Sequence, residues 1–101
     1  MKINDPAILA EVEAAFMAYE TALNENDVAV LDASFKDAPE TIRYGIAENL
    51  YGFGEIAAFR SARSPVGLTR MIERTVITTY GDAMATANTL FRRESMAGKV
   101  G

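Results

Sequence analysis

The sequence predicts an α+β domain in which a curved antiparallel sheet carries helices on its concave face. A long amphipathic helix pattern opens the chain, two short strand patterns lie in its middle, and two long strand patterns joined by a tight turn follow. Helices that come first and hairpin strands that come later are typical of this fold class. A bent sheet covered by a long helix leaves a cone-shaped cavity. We predict one domain over residues 1–101.

The first two helices are predicted by their caps. Asp5 followed by Pro6 marks a helix start, because aspartate accepts from the first backbone N–H groups and proline suits the first turn. Apolar residues then recur at three- to four-residue spacing and form one stripe, made of Ile8, Val12, Phe16, Tyr19 and Leu23. Asp27 caps a predicted short helix over residues 28–35.

The remaining elements alternate between strand and helix. The patterns predict strands over residues 41–45 and 48–51, a helix over 54–63, and strands over 68–80 and 84–93. Pro65 ends the third helix, since the residue before a proline avoids helical geometry. The two long strands are rich in β-branched residues. We expect one core that joins helix and sheet, made of Phe16, Tyr19, Ile72, Ile77 and Phe91.

Composition excludes several kinds of chemistry. The chain has no cysteine and no histidine, which excludes disulfides, thiolate nucleophiles, histidine triads and the usual zinc sites. The acidic residues are spread along helix surfaces and the glycines lack a P-loop lysine, so we expect no metal and no cofactor. No apolar run approaches the roughly 20 residues of a membrane span. With no signal peptide pattern, we expect a cytoplasmic protein without membrane contact.

The two parts of the chain carry opposite charge. Residues 1–58 hold 3 basic and 11 acidic side chains, whereas residues 59–101 hold 7 basic and 3 acidic ones. This division fits either an acidic helical layer over a basic sheet with solvated faces, or a cationic cavity for an anion. The acidic total and the interleaving of arginines with strand residues argue against a nucleic-acid partner.

Three arginines are the main candidates for ligand binding. Arg43 lies on the first short strand, and Arg60 and Arg63 share one face of the third helix. A guanidinium group stays charged and matches the geometry of a carboxylate or phosphate. The alternatives are ordinary ones, namely a surface pair of Arg43 with Glu48 and a solvated helix end for the other two. The sequence predicts a small anionic ligand.

Four further residues complete the candidate site. Glu48 is either a general acid or base, if burial raises its pKa, or the internal partner of Arg43. Tyr44 and Tyr51 either point a hydroxyl into the cavity or pack in the core. Of Asn88 and Thr89, which face opposite ways on their strand, we select Thr89 as the ligand-binding residue.

Two segments resemble a known family. TIRYGIAENLYGFGEIAAFRSAR (residues 41–63) and RTVITTYGDAMATANTLFRR (residues 74–93) are similar to the AtzH-like family of the SnoaL-like, nuclear transport factor 2-like superfamily. The resemblance runs from the first helix to Arg93 and implies a cone-shaped, cystatin-like fold. Family members often occur beside amidohydrolases of cyanuric acid or ureide catabolism, which implies a small, carboxylated, urea-like ligand.

The resemblance leaves two functions open. One is a binding domain for an anionic ligand, and the other is a small lyase or isomerase, such as a decarboxylase, acting on a substrate held by the arginines. Leu90 stands where the family leads us to expect an acid. The family also continues with two more strands. Relatives commonly pair sheet to sheet, and a missing neighbour would leave residues 84–93 as an edge strand, so we expect a homodimer or higher oligomer.

Overall fold

A computed structural model describes residues 1–45 and 47–93. The elements in chain order are α1 (Pro6–Glu25), α2 (Val28–Ala33), β1 (Ile42–Tyr44), β2 (Asn49–Tyr51), α3 (Phe53–Ala62), β3 (Met71–Tyr80) and β4 (Met84–Arg92). Each predicted helix and strand is present, with bounds that differ from the prediction by at most three residues. The α+β fold class is therefore confirmed.

Side-chain caps set the corner between the first two helices. Asp5 Oδ1 accepts a hydrogen bond from Ala7 N at 3.0 Å and starts α1. Asn26 ends α1 in the left-handed conformation, with φ of 53°, which turns the chain sharply. Asp27 Oδ1 then accepts from Val30 N at 3.3 Å and starts α2. This corner folds α2 back so that Leu31 packs against the end of α1.

The strands form two antiparallel pairs, β1 with β2 and β3 with β4. In the longer pair Ile72 lies opposite Phe91 and Arg74 lies opposite Leu90, so Glu73 is the extra residue of a β-bulge. A bulge bends the strand that contains it and shifts the alternation of its side chains. At this end of the pair, Arg70 just before β3 contacts α1, since its backbone N donates to Asn24 Oδ1 at 2.9 Å.

The buried core is smaller than predicted. Among the described residues, its buried apolar side chains are those of Ala22, Leu23 and Leu31, against which Tyr19 packs, and that of Ile56. The predicted single core is wrong in this respect, because Phe16, Ile72 and Ile77 instead line an open apolar groove, and Phe91 lines a separate cavity. The physical reason is that α1 packs against both β3 and α2, so its apolar stripe is divided between two neighbours.

The segment before α1 covers one end of β3. Asn4 N donates to Thr79 O at 3.1 Å, and Thr79 N donates to Asn4 Oδ1 at 2.9 Å. Asn4 adopts the left-handed conformation that these two contacts require, with φ of 55°. The side-chain oxygen of Asn4 thus accepts from a backbone N–H of β3 that would otherwise donate to a neighbouring strand. This contact anchors the N-terminal end of α1 on the sheet.

Candidate functional site

A cavity of about 600 Å³ lies between the C-terminal half of α1, the β1–β2 hairpin, the end of α3 and the bulged end of the long strand pair. Its wall contains four arginines, one glutamate and several aromatic rings: Arg43, Arg63, Arg70, Arg93, Glu48, Tyr19, Phe35, Tyr44, Phe59 and Phe91. Ligand cavities are usually apolar with a few polar groups. Here four of the five charged side chains are cationic.

The ring of Phe59 supports two of these arginines. The guanidinium carbon of Arg43 lies 5.6 Å from the ring centroid, and that of Arg63 lies 5.7 Å from it. Strand alternation turns Arg43 inward, because its neighbours Ile42 and Tyr44 are exposed. Phe59 and Arg63 are four residues apart at the end of α3, so they share a face. Cation–π attraction offsets part of the repulsion between the two arginines.

The ring of Phe91 supports the other pair. Arg70 lies 4.2 Å above the ring centroid, and Arg93 lies 5.1 Å from it. Arg70 is held by Glu20, since its Nε donates to Glu20 Oε2 at 3.0 Å and its Nη2 donates to Oε1. Arg93 Nε donates to the Leu68 carbonyl oxygen at 3.1 Å. One arginine of the pair therefore has a carboxylate partner and the other has a backbone carbonyl.

Arg60 lies behind the cavity wall and is fully buried. Its Nη2 donates to the Tyr19 hydroxyl oxygen at 3.0 Å, and its guanidinium carbon lies 4.4 Å from the Phe35 ring centroid. Its Nε and Nη1 have no hydrogen-bond acceptor among the described residues. Burial is the main reason that the pKa of Arg60 lies below its ordinary value, and the Asp32 charge partly opposes this decrease. Arg60 thus adds positive charge to the site without lining the cavity.

The site holds more positive than negative charge. Burial lowers the pKa of Arg63, and the charges of Arg43, Arg60 and Arg93 lower it further. Burial also lowers the pKa of Arg93, followed by repulsion from Arg70. Both effects mean that the protonated arginines are destabilised by their surroundings. An anion in the cavity would reverse this destabilisation.

The structure places the predicted site residues in different environments. Arg43, Arg63 and Glu48 line the cavity together. Tyr44 lines its rim but is 62% exposed. The other two hydroxyl-bearing candidates lie elsewhere. Tyr51 is on the outer face of the hairpin, where its ring meets that of Tyr44.

Thr89 is also outside the arginine cavity, contrary to the prediction. Its Oγ1 lies 2.9 Å from Thr75 Oγ1, across the long strand pair. The strand alternation was predicted correctly, but the cavity lies farther along β4, at Phe91. Leu90 is half exposed and lies beside Arg74 and Asn88 on the opposite face. An acid at that position would not point into the cavity.

Sequence reasoning missed several residues of the site. Glu20 looked like one of the solvated acids of α1, and Tyr19 looked like part of its apolar stripe. Arg70 was included in the predicted strand over residues 68–80 and was not selected as a site residue, whereas in the structure it precedes β3. Arg70 and Arg93 both lie in the basic C-terminal part of the chain, and the charge asymmetry was their only signal. Each of these residues joins the site through contacts distant in sequence.

The structure also bears on metal binding and on membrane insertion. Among the described residues, no cluster of three or more acidic side chains is arranged to hold a metal ion. Within the same part of the chain, every helix is too short or too polar to cross a lipid bilayer.

Comparison with known proteins supports the fold. A family model described as AtzH-like matches residues 1–101. A crystal structure from Pectobacterium atrosepticum, described as a protein of unknown function from the DUF3225 family, is 53% identical; the match covers 97% of this chain and 76% of that chain, with a TM-score of 0.93. A cystatin-like fold protein from Burkholderia xenovorans is 46% identical, with coverages of 94% and 74% and a TM-score of 0.89. No curated protein matches the chain.

Proposed function

We propose that this chain, which belongs to the AtzH-like family, binds a small molecule that carries a carboxylate group. The proposal rests on the chemistry of the cavity. The family resemblance favours a urea-like body for that molecule. The first ligands to test are therefore carboxylated ureides such as N-carbamoylglycine. Among short anions, the planar carboxylate fits a guanidinium group in a bidentate manner.

The observation that carries the proposal is the state of Arg63. Its Nε and Nη2 are shielded from water and have no hydrogen-bond acceptor among the described residues. An unsatisfied buried donor costs about 1–3 kcal/mol, and more for a charged group. Arg63 nonetheless lines the cavity. A small rotation toward the cavity would let a bound carboxylate accept from both N–H groups.

The neighbouring Arg70 illustrates the geometry that we expect. Its Nε and Nη2 donate to the two carboxylate oxygens of Glu20. These are the same two nitrogens that lack an acceptor in Arg63. A ligand carboxylate would bind Arg63 as Glu20 binds Arg70. Arg43 and Arg93 would supply further positive charge around it.

Thermal unfolding with added ligand tests the proposal. N-carbamoylglycine should raise the melting temperature, whereas its uncharged amide should not. A ligand at a hundredfold its Kd stabilises the folded state by about 2.7 kcal/mol. Removing one partner of a buried charge pair costs about 2–5 kcal/mol, so Arg63→Ala should weaken binding at least about 30-fold.

Arg74→Ala is the matched control, because Arg74 is exposed and lies outside the cavity. It should keep the ligand response of the unmodified protein. Arg63→Lys should also lose most of the response, since an ammonium group cannot form the bidentate pair. The proposal would be abandoned if no carboxylate raised the melting temperature, or if Arg63→Ala responded as strongly as the unmodified protein.

A lyase or isomerase reaction on the bound carboxylate is the second candidate. The observation in its favour is Tyr19, which lines the cavity and whose hydroxyl oxygen already accepts from Arg60. The hydroxyl proton is then available to another acceptor, and a positioned proton donor is what such reactions need. Turnover of carboxylated ureides, measured as CO2 release, should be lost in Tyr19→Phe if the protein is a decarboxylase.

A further inference from the structure

Glu48 already occupies Arg43, whose guanidinium group shares the Phe59 ring with Arg63 and so lies beside the place that a ligand carboxylate would take. Its Oε1 accepts from Arg43 Nη1 at 2.8 Å. The two side chains keep 23% and 18% of their surface exposed, so water and small anions can reach the pair. Both residues line the cavity. The glutamate therefore resembles a bound carboxylate that belongs to the protein itself.

The pair differs from the other ion pair of the site. Glu20 and Arg70 are joined by two hydrogen bonds, and their side chains are only 5% and 10% exposed. Glu20 is part of the 20-residue helix α1. Glu48, by contrast, makes one hydrogen bond to its arginine and precedes a strand of three residues. Glu20 is thus held in place by a buried pair, whereas moving Glu48 away from its arginine costs less free energy.

Gly45 provides the space in which the Glu48 carboxylate lies. A Cβ atom on Gly45 would be 3.0 Å from Glu48 Oε2 and closer still to Oε1 and Cδ. The φ of Gly45 is not positive, so alanine can adopt the same backbone conformation. The overlap involves only the end of a flexible side chain. An alanine at this position would therefore move the carboxylate and leave the turn in place.

We propose that Glu48 is a displaceable counter-ion that occupies Arg43 in the empty site and gives way to the ligand carboxylate. This inference rests on the proposed function, because it concerns how the same site admits its ligand. A ligand must compete with an internal carboxylate that is already in place. Weakly binding anions and neutral groups do not meet that requirement, so Glu48 makes the site selective as well as neutralising Arg43 while it is empty.

Two variants separate displacement from simple charge repulsion. Gly45→Ala moves the Glu48 carboxylate away from Arg43 and keeps its charge, whereas Glu48→Gln removes the charge and keeps the size. The apparent affinity for the ligand falls as the fraction of sites in which Glu48 occupies Arg43 rises. An ion pair of this exposure should be formed most of the time, so both variants should bind N-carbamoylglycine about three- to tenfold more tightly in calorimetric titration.

Glu11→Gln is the matched control. Glu11 is an exposed glutamate of α1, about 12 Å along the helix from Tyr19 at the usual rise per residue. Glu11→Gln removes the same charge from the protein as Glu48→Gln does, and it should leave the affinity for N-carbamoylglycine unchanged. A further variant, Arg43→Gln, tests the contact itself: in that background Glu48→Gln should bring no gain, since there is no arginine left to release.

The outcomes are distinct. Tighter binding in both variants, with the gain dependent on Arg43, supports displacement. Displacement is overturned if the unmodified protein binds the ligand and Gly45→Ala binds it no more tightly. It is also overturned if Glu48→Gln still tightens binding when Arg43 is absent. Either result leaves the proposed function standing. If Gly45→Ala does not fold, the comparison of Glu48→Gln with and without Arg43 decides alone. No binding by any of the proteins overturns the proposed function and displacement together.

Discussion

Replacing Glu20 with glutamine should destabilise the folded protein strongly. The Glu20 and Arg70 side chains are only 5% and 10% exposed, and Glu20 Oε2 accepts from Arg70 Nε at 3.0 Å. The substitution leaves the Arg70 charge without its partner in a site that already contains Arg93. Breaking a buried pair in this way costs about 3–5 kcal/mol. That is a large share of the roughly 5–15 kcal/mol that stabilises a typical domain.

The matched comparison is Glu73→Gln. Glu73 pairs with Arg92, but these side chains are 40% and 48% exposed. Exposed pairs contribute about 0–1 kcal/mol. The two substitutions are chemically identical and differ in burial, so the difference in unfolding free energy isolates the effect of burial. Urea denaturation followed by far-UV circular dichroism measures both, and equal slopes would show that the unfolded states are comparable.

A double variant tests the physical reason. In Glu20→Gln/Arg70→Gln both charges are absent, so no uncompensated cation remains, and the protein should be more stable than Glu20→Gln alone. The reasoning would be refuted if Glu20→Gln and Glu73→Gln lost the same free energy. It would also be refuted if the double variant were less stable than the single one.

Three further predictions follow from other parts of the chain. Ile56 is fully buried and Val66 is 85% exposed. Ile56→Ala should therefore lower the unfolding free energy by about 2–5 kcal/mol, whereas Val66→Ala should change it by at most about 0.5 kcal/mol. Urea denaturation measures both. Hydrogen bonds from the Lys2 side chain and then from Ala7 N lower the pKa of Asp5. The stability that this carboxylate adds is present above its ordinary pKa and is lost as the pH falls through the lowered value; NMR titration should show the pKa rising toward the ordinary value in Lys2→Met. We also expect self-association through the outer face of β3 and β4, because apolar side chains are exposed there. Light scattering should report a dimer for the unmodified protein and a smaller molecular mass for Leu90→Lys. The exposed large apolar side chains of that face are Met71, Val76, Met84 and Leu90.

The elements of this protein could be read from the sequence because their causes are local. Asp5 and Asp27 cap helices through backbone groups two and three residues away. The two long strands follow from β-branched residues and the turn at Gly81, whose φ of 67° suits glycine. These interactions act within a few residues of one another. Local spacing therefore contains enough information to locate them.

Part of the candidate site could be read in the same way. Arg43 and Glu48 are separated by one turn of a hairpin, and their pairing was one of the two alternatives for Glu48. Arg63 was selected for its chemistry and position near a helix end, and it does line the cavity. Arg60 was selected for the same reasons but lies behind the wall. Residues on one face of a helix share a direction, but the depth of each depends on what packs against it.

The rest of the site was decided by tertiary structure. Tyr19 meets Arg60 across 41 residues of sequence, and Glu20 meets Arg70 across 50. No local pattern specifies such pairs, because they depend on how α1 crosses the sheet and where the bulge at Glu73 bends β3. The same packing divides the apolar stripe of α1 and moves Phe91 from the expected core into the cavity. The sequence by itself determined the order of the elements and the cationic character of the site, whereas long-range packing decided which arginines surround the cavity and which of them have a carboxylate partner.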